Sequence, residues 1–517
     1  MNPDDQDSRT TDNPAAADPG PISDVIEPHA YLIVFVATLS TAAYAFMWNS
    51  VTVALPHMMG AFAATTDQIT WVMIAYIVGS AAAMAAVGWF TDRFGRRRVF
   101  LIAIAGFAIS QLGCGMATSL EAEVFWRMIQ GLTGAPLVPL GQILAVNALP
   151  GRHTQATSLW AIGFIAANVI SPTLAGYLID WYSWPWIFYA SIPVTLACLV
   201  AAYFFVPVTS HTARRMDWFG FLALIVGLGV LQLMLARGER LDWFDSPEIV
   251  IELMLAAILL YLFAIHTRFA SNPFIARELF LNWNFMLGMV FVFLVGCVLY
   301  LPMLLLPLQL EQLAGYPPDA VGELMMARGV GTVISLTLMS RLRDRVDLRW
   351  LMLIGLMVTG AAIWSMSTWS AEVSPQHVMI SNFIMGAATG SIWAPMNTMT
   401  LANLPKHTQA QGFALFYLMF DVGNAVGTAV LIAMHTRHSQ VGHALLSEHV
   451  SPFRDAIRGS VMDGGIWSQR SLENLLSLDN EITRQALAVA YNNSYFVASL
   501  VLAAMIPLLL LYRRPKI

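Results

Sequence analysis

The chain has 517 residues, of which 57% are hydrophobic and only 11% charged, with a net charge of −5 and a mean hydropathy of +0.63. Soluble domains carry about twice that share of charge, so a water-facing assembly is excluded and the chain reads as an all-α integral membrane protein. The weak and uneven charge argues against nucleic acid as a partner, and Cys114, Cys198 and Cys297, each inside an apolar run, offer neither a disulfide pattern nor a metal site.

Residues 1–30 are acidic and rich in Pro, Ala and Asp, with no apolar run behind a basic start. They predict a disordered cytoplasmic tail, not a signal peptide. From Tyr31 onward, apolar stretches recur that are long enough to cross about 30 Å of hydrocarbon as helices. Fourteen are counted, near 31–57, 69–90, 99–119, 124–147, 156–178, 186–207, 217–236, 248–267, 285–309, 319–340, 349–369, 376–401, 408–433 and 490–512. Loops after even-numbered spans hold Arg93, Arg96, Arg97 and Arg98, then Arg152, Arg214 and Arg215, Arg268 and Arg277, Arg341, Arg343, Arg345 and Arg349, and Lys406. Loops after odd-numbered spans hold Glu121 and Glu123, Asp180, Glu311 and Asp319, and Glu372; only the seventh is mixed, RGERLDWFD. Basic loops stay inside, so both termini are expected in the cytoplasm of a multi-pass cell (inner) membrane protein.

The loop after the second span reads GWFTDRFGRRRVF, Gly88 to Phe100. Membrane insertion alone accounts for its arginines. It does not account for Gly88, which lets helices approach closely, for Gly95, which permits a tight turn, or for Asp92, which can accept from backbone N–H groups or pair with arginine. The pattern G-x-x-x-D-R-x-G-R-R, with Gly88, Asp92, Arg93, Gly95, Arg96 and Arg97, resembles the loop between the second and third helices of the major facilitator superfamily.

Other stretches extend the resemblance. RMIQGLTGA, with Arg127 and Gln130, is similar to the superfamily's fourth-helix motif, whose arginine faces the central cavity. GFIAANVISPTLAGYLID, with Gly163, Pro172 and Gly176, is similar to the fifth-helix motif of exporters, and Pro172 suits a helix that bends at an opening interface. SWPWIFYASIPV and the Ala54–Pro56 tripeptide resemble the fourteen-helix drug:proton antiporters. That resemblance implies a six-helix bundle over 31–207, an inserted helix pair with linkers over 208–284, and a second six-helix bundle over 285–517 with an external segment at 434–489. It also implies that the loop's aspartate and arginine close the cytoplasmic side in the outward-facing state.

The departures bear on mechanism. Relatives commonly carry an acid in the first helix where this chain has Met47, Ser171-Pro172 stands for Gly-Pro, and SRLRDRVDLRW is a worn copy of the signature loop, as an ancient duplication leaves. Charges inside spans cost roughly 2.5 to 3.5 kcal/mol each and mark functional candidates. Asp421 and Arg328 both fall near mid-membrane, as a proton-carrying pair or as a static ion pair; Glu323 flanks an outer mouth or is a solvated acid, and Glu252 sits near one end of the inserted pair. Gln142, Asn168, Asn397 and other neutral polar residues line a cavity or bond between helices. The histidines 435, 438, 443 and 449 lack the carboxylate or cysteine that would complete a zinc site, and an amphipathic helical cap is the plainer reading.

The resemblance implies a secondary active transporter, not an enzyme, with no cofactor and no metal. It would export hydrophobic or amphipathic small molecules by proton antiport and alternating access, in contact with membrane lipids and, in a two-membrane cell, with a periplasmic adaptor and an outer-membrane channel. The alternative is a proton-coupled exporter or importer of one metabolite, lipid or siderophore.

Overall fold

The computed structural model describes residues 29–208, 216–271, 273–342, 346–401, 404–405, 408–450 and 472–512. The predicted tail, Arg214, Arg215, the Arg343-Asp344-Arg345 stretch of the worn loop, Lys406 and the basic C-terminus lie outside the described residues. The described apolar runs are helical apart from short interruptions, as hydrocarbon requires when every backbone donor and acceptor must be satisfied within its own segment.

The first half comprises α1 (Ala30–Phe62), α2 (Thr66–Phe94), α3 (Arg96–Gly115), the interrupted rod α4–α5 (Leu120–Gly134, Leu137–Ala148), α6 (His153–Trp181) and the rod α7–α8 (Trp186–Tyr189, Ile192–Phe205). Then come α9 (Trp218–Arg237), α10 (Pro247–Phe269) and the short α11 (Arg277–Leu281). The second half holds the rod α12–α13 (Trp283–Leu299, Leu301–Gln312), α14 (Pro318–Leu342), α15 (Leu348–Met366), α16 (Pro375–Leu401), α17 (Gln409–Glu448) and α18 (Leu472–Leu509). Each interruption coincides with a proline that lacks a backbone donor: Pro136 before α5, Pro193 in the first turn of α8, Pro302 in that of α13.

Thirteen of these rods are long and apolar enough to cross a membrane. The remaining one, α16, has the length at 27 residues, and buried Asn382, Asn397 and Thr400 dilute its hydropathy while facing other helices.

The halves repeat one packing plan. In the first, α1 lies along α6, α2 along α4 and α3 along α8; in the second, α12 lies along α17, α14 along α16 and α15 along α18. Glycines show the correspondence residue by residue. A Cβ on Gly79 would strike the Met128 carbonyl, and one on Gly131 the Tyr76 carbonyl, so α2 and α4 touch backbone to backbone. In the second half Gly331 meets the Phe383 carbonyl and Gly386 the Arg328 carbonyl in the same reciprocal way. Arg328 therefore stands where Tyr76 does, and Asn382, one turn before Gly386, stands where Arg127 does, one turn before Gly131.

The inserted hairpin α9–α10 packs on α2 and, through α9, on α17. Asp217 caps α9 by accepting from Gly220 N (3.0 Å), and it also accepts from Phe274 N (3.0 Å) and meets His266 Nε2 at 2.8 Å. At the other end Arg237 pairs with Glu248 (2.6 Å) and Glu252 (2.8 Å) beneath Trp71. Glu252 is thus a half-buried ion-pair partner, and Arg237, the first of the two arginines in the one mixed loop, is neutralised where it sits. Arg237→Ala leaves the half-buried Glu252 carboxylate without its partner, at a cost of about 1 to 2 kcal/mol after solvent screening. Thermal unfolding of the purified protein should fall well below wild type, and Arg237→Met with Glu252→Gln should recover most of the loss.

Of the expected external segment at 434–489, residues 451–471 lie outside the described residues; residues 434–448 and 472–489 are helical and prolong α17 and α18, because the two rods keep pairing beyond the apolar core. Gly442 lies against Ala486, His443 meets Asp479 at 3.1 Å, and His435 stacks on Tyr491 at 4.4 Å. Among the described residues no group of three or more potential ligands converges on a metal position.

Candidate functional site

The halves meet along a seam whose ends differ. At the end bearing the signature loop, Gly88 of α2 lies against the side chain of Gln411 in the first turn of α17, where any side chain on residue 88 would collide. Gln411 then donates from Nε2 to Asp92 Oδ2 (3.1 Å) and accepts from the Ala276 N–H (3.0 Å). Asp92 also lies at the amino end of α17, whose dipole favours a negative charge. Gly95 ends α2 and starts α3 at φ +83°, a conformation strained for any other L residue.

The arginines divide their work. Arg96 is within coulombic reach of Asp92, Arg97 donates to the Tyr203 carbonyl and stacks on its ring within the first half, and Arg93 is exposed. Asp92, which the resemblance pairs with an arginine in the crossing contact, reaches across the seam to a neutral partner, Gln411.

One layer deeper, Gln142 of α5 donates to Asn397 Oδ1 of α16 (3.0 Å) and accepts from the Tyr417 hydroxyl of α17 (2.6 Å). Gln142 and Asn397 are 255 positions apart, the same offset as Gly131 and Gly386, so they are counterparts meeting near the pseudo-twofold axis. Trp48 and Tyr300 do likewise: the indole N–H donates to the phenol oxygen at 3.1 Å across 252 positions, the offset that relates Tyr76 to Arg328. Around them α5 is buried from Leu137 to Ala145, and α17 from Ala410 to Leu418 with Leu415 alone half-buried. The seam is shut at this end.

Asp421 lies twelve residues into α17, about 18 Å along it at 1.5 Å per residue. It is half-buried, within coulombic reach of Tyr44, Tyr76, Tyr300 and Tyr417. Two aromatic groups flank it. Trp160, Phe164, Trp393, Tyr417 and Phe420 form one across α6, α16 and α17, and Tyr44, Trp48 and Tyr76 form the other on α1 and α2.

Arg328 does not pair with Asp421. It donates to the Leu299 carbonyl at 2.8 Å and its Nη1 has no partner. The reason is geometric: it occupies the Tyr76 position of the second half and turns toward α12 and Tyr300. Arg127 is fully buried, stacked over Tyr76 at 4.1 Å and bonded to Gln130. Each half therefore keeps one deep guanidinium, on α4 in the first and on α14 in the second. Glu323 is exposed on α14 and joins none of this.

The fifth-helix motif lies on the seam. Gly163 approaches Thr38 of α1, and further along α6 Val169 and Thr173 face Gly329 and Gly322 of α14. Pro172 sits exposed between those contacts, and nothing crowds Gly176. Gln411, the Trp48–Tyr300 pair and buried Glu123 were not singled out from sequence; the offset of the worn second loop would have found Trp48 with Tyr300.

The architecture and the sequence comparisons agree. The family model described as Major Facilitator Superfamily matches residues 37–308 and 288–440. The chain is 29% identical to the multidrug export protein EmrB of Escherichia coli (strain K12) over 91% of this chain and 93% of that one. It is 27% identical to the fatty acid resistance protein FarB of Neisseria gonorrhoeae over 90% and 92%. Among solved structures, the proton:xylose symporter XylE bound to 6-bromo-6-deoxy-D-glucose shares the fold, with a TM-score of 0.59 at 14% identity over 93% of this chain and 97% of that one. With duplicated six-helix halves, a signature loop closing one end of the seam between them and a family model spanning most of its length, this multi-pass membrane protein belongs to the Major Facilitator Superfamily.

Proposed function

We propose that the chain exports hydrophobic or amphipathic small molecules by proton antiport, its halves rocking about the Asp421 layer. The observation that carries this is Asp421 itself, a carboxylate twelve residues into α17 with no ion-pair partner among the described residues, between two aromatic groups. Aromatic faces hold apolar and cationic ligands of varied shape, and one carboxylate serves cargo and proton by turns. Protonation of Asp421 from outside weakens its hold on a cationic substrate, which leaves; loss of that proton to the cytoplasm readies the site for the next. Support comes from relatives named as multidrug export proteins that align over nine-tenths of the chain.

The arginine-rich end is read as cytoplasmic, in the inner membrane, with both termini on that side. The apolar groove of about 460 Å³ between α3 and α8, lined by Leu101, Ile102, Leu199 and Phe204 among others, suits a lipid acyl chain. In a cell with two membranes, the prolonged α17–α18 hairpin is the surface offered to a periplasmic adaptor and, through it, an outer-membrane channel.

Export from vesicles should be measured with a panel of lipophilic cations, anions and neutral drugs. Movement of chemically unlike compounds in response to a pH gradient is expected. Movement of fatty acids alone would favour the narrower reading, a specific lipid exporter, which the likeness to FarB supports. Trp48→Phe, which loses one bond across the seam, should change export by a few-fold only, since a neutral hydrogen bond contributes about 1 kcal/mol; transport rates and expression together check it.

A further inference from the structure

Loop charges in this chain follow one rule, and Glu123 follows another. It lies in the first turn of α4, where its neighbour Glu121 is exposed to solvent, yet it is fully buried and neither carboxylate oxygen accepts a hydrogen bond. An ionised carboxylate in that setting is costly unless paired. Packing does not demand an acid there. At the offset that relates Gln142 to Asn397, the second half carries Val378, buried just as fully.

The groups facing Glu123 are few. On its own helix, one turn on, is Arg127, and from α3 the Cys114 thiol approaches without completing a hydrogen bond. Arg127 is turned away, over Tyr76 of α2 and onto Gln130. Tyr76 and its stacked neighbour Tyr44 of α1 are within coulombic reach of both Arg127 and Asp421. One buried line thus runs from Glu123 through Arg127 and two tyrosines to Asp421, crossing from one half to the other.

We propose that Glu123 is a second proton-binding site, with Arg127 as the counter-ion that its protonation moves. With the proton on the carboxyl oxygen, Arg127 stays over Tyr76. When that O–H breaks and the proton passes to water, the carboxylate draws the guanidinium back along α4, away from the tyrosines that face Asp421. The first half thereby regains an acid that the first helix lacks, on a different helix and on the far side of Arg127. The inference rests on proton-coupled export.

The test uses the full chain in liposomes. Raising the pH should abolish a carboxyl C=O stretch in difference infrared spectra, and that band should be missing from Glu123→Gln and present in Asp421→Asn. In the unaltered protein, dicyclohexylcarbodiimide, which attacks protonated carboxyls in apolar surroundings, should label Glu123 at low pH and lose it as the pH rises. This second measurement stands even if Glu123→Gln fails to fold. An unchanged carboxyl spectrum in Glu123→Gln, or an unlabelled Glu123 at every pH, overturns the proposal. In transport, each proton coupled across one pH unit sets a tenfold concentration ratio, so Glu123→Gln should lower the limiting accumulation of tetraphenylphosphonium about tenfold. Unaltered accumulation overturns it too. Failure of the wild-type protein to move tetraphenylphosphonium or any other panel compound counts against export instead, and the carboxyl measurements, which need no substrate, still decide this site.

Discussion

Asp421→Asn is expected to keep binding and exchange of substrate while losing accumulation driven by a pH gradient. The amide has nearly the shape of a protonated carboxyl and cannot release a proton, so the variant is held in one of the two states that antiport needs. The absence of an ion pair with Arg328 sharpens the result. Were the two paired, removing one charge would strand the other at about 3 to 5 kcal/mol and the protein would fold poorly; with Arg328 bonded to the Leu299 carbonyl, no such cost arises. Expression and thermal stability of Asp421→Asn should therefore match wild type, and adding Arg328→Gln should rescue nothing. Counterflow of labelled substrate should persist, while the ratio reached under a one-unit pH gradient should fall about tenfold for each proton lost. Full pH-driven export by Asp421→Asn would remove this residue from the coupling.

The parts of this architecture that depend on one helix at a time were legible in the sequence. Span count and order and the signature loop follow from local composition, because a bilayer imposes length and hydropathy on each segment separately. What depends on two helices was not. Arg328 and Asp421 reach the same depth, and depth gave them to each other; the azimuth of α14, fixed by Gly331 and Gly386 against α16, turns the guanidinium elsewhere. Glu123 looked like a loop acid because it falls after an odd-numbered span, and only the fold shows α3 covering it. The ends of α17 and α18 were placed at the last apolar residue, whereas helices paired along their length continue past it while they still have each other to pack on. Trp48 and Tyr300 were recoverable in principle, since the worn second loop carries the same offset of 252; Gln142 and Asn397, 255 positions apart, were not.

The second large effect is expected at the shut end of the seam, where three substitutions should rank by how each disturbs one contact. Asp92→Asn keeps an acceptor for Gln411 but loses the charge, both in the hydrogen bond and at the amino end of α17. Together these contribute about 1 to 2 kcal/mol, enough to shift a near-balanced equilibrium roughly five- to thirtyfold toward opening at this end. Asp92→Ala removes the acceptor as well and should go further. Gly88→Leu should go furthest, because the Gln411 side chain already occupies the place of a Cβ and α2 must back away from α17 to admit anything larger. The readout is access: a cysteine placed at Ala145, fully buried in α5, should react with an impermeant maleimide from the arginine-bearing side in the order Gly88→Leu, Asp92→Ala, Asp92→Asn, wild type. Export should fall in the same order, nearly to nothing for Gly88→Leu, with insertion unchanged since the arginines that direct it are untouched. Equal labelling in all four would mean that these residues serve topology alone, and that the seam is held shut by the Gln142, Asn397 and Tyr417 layer beneath them.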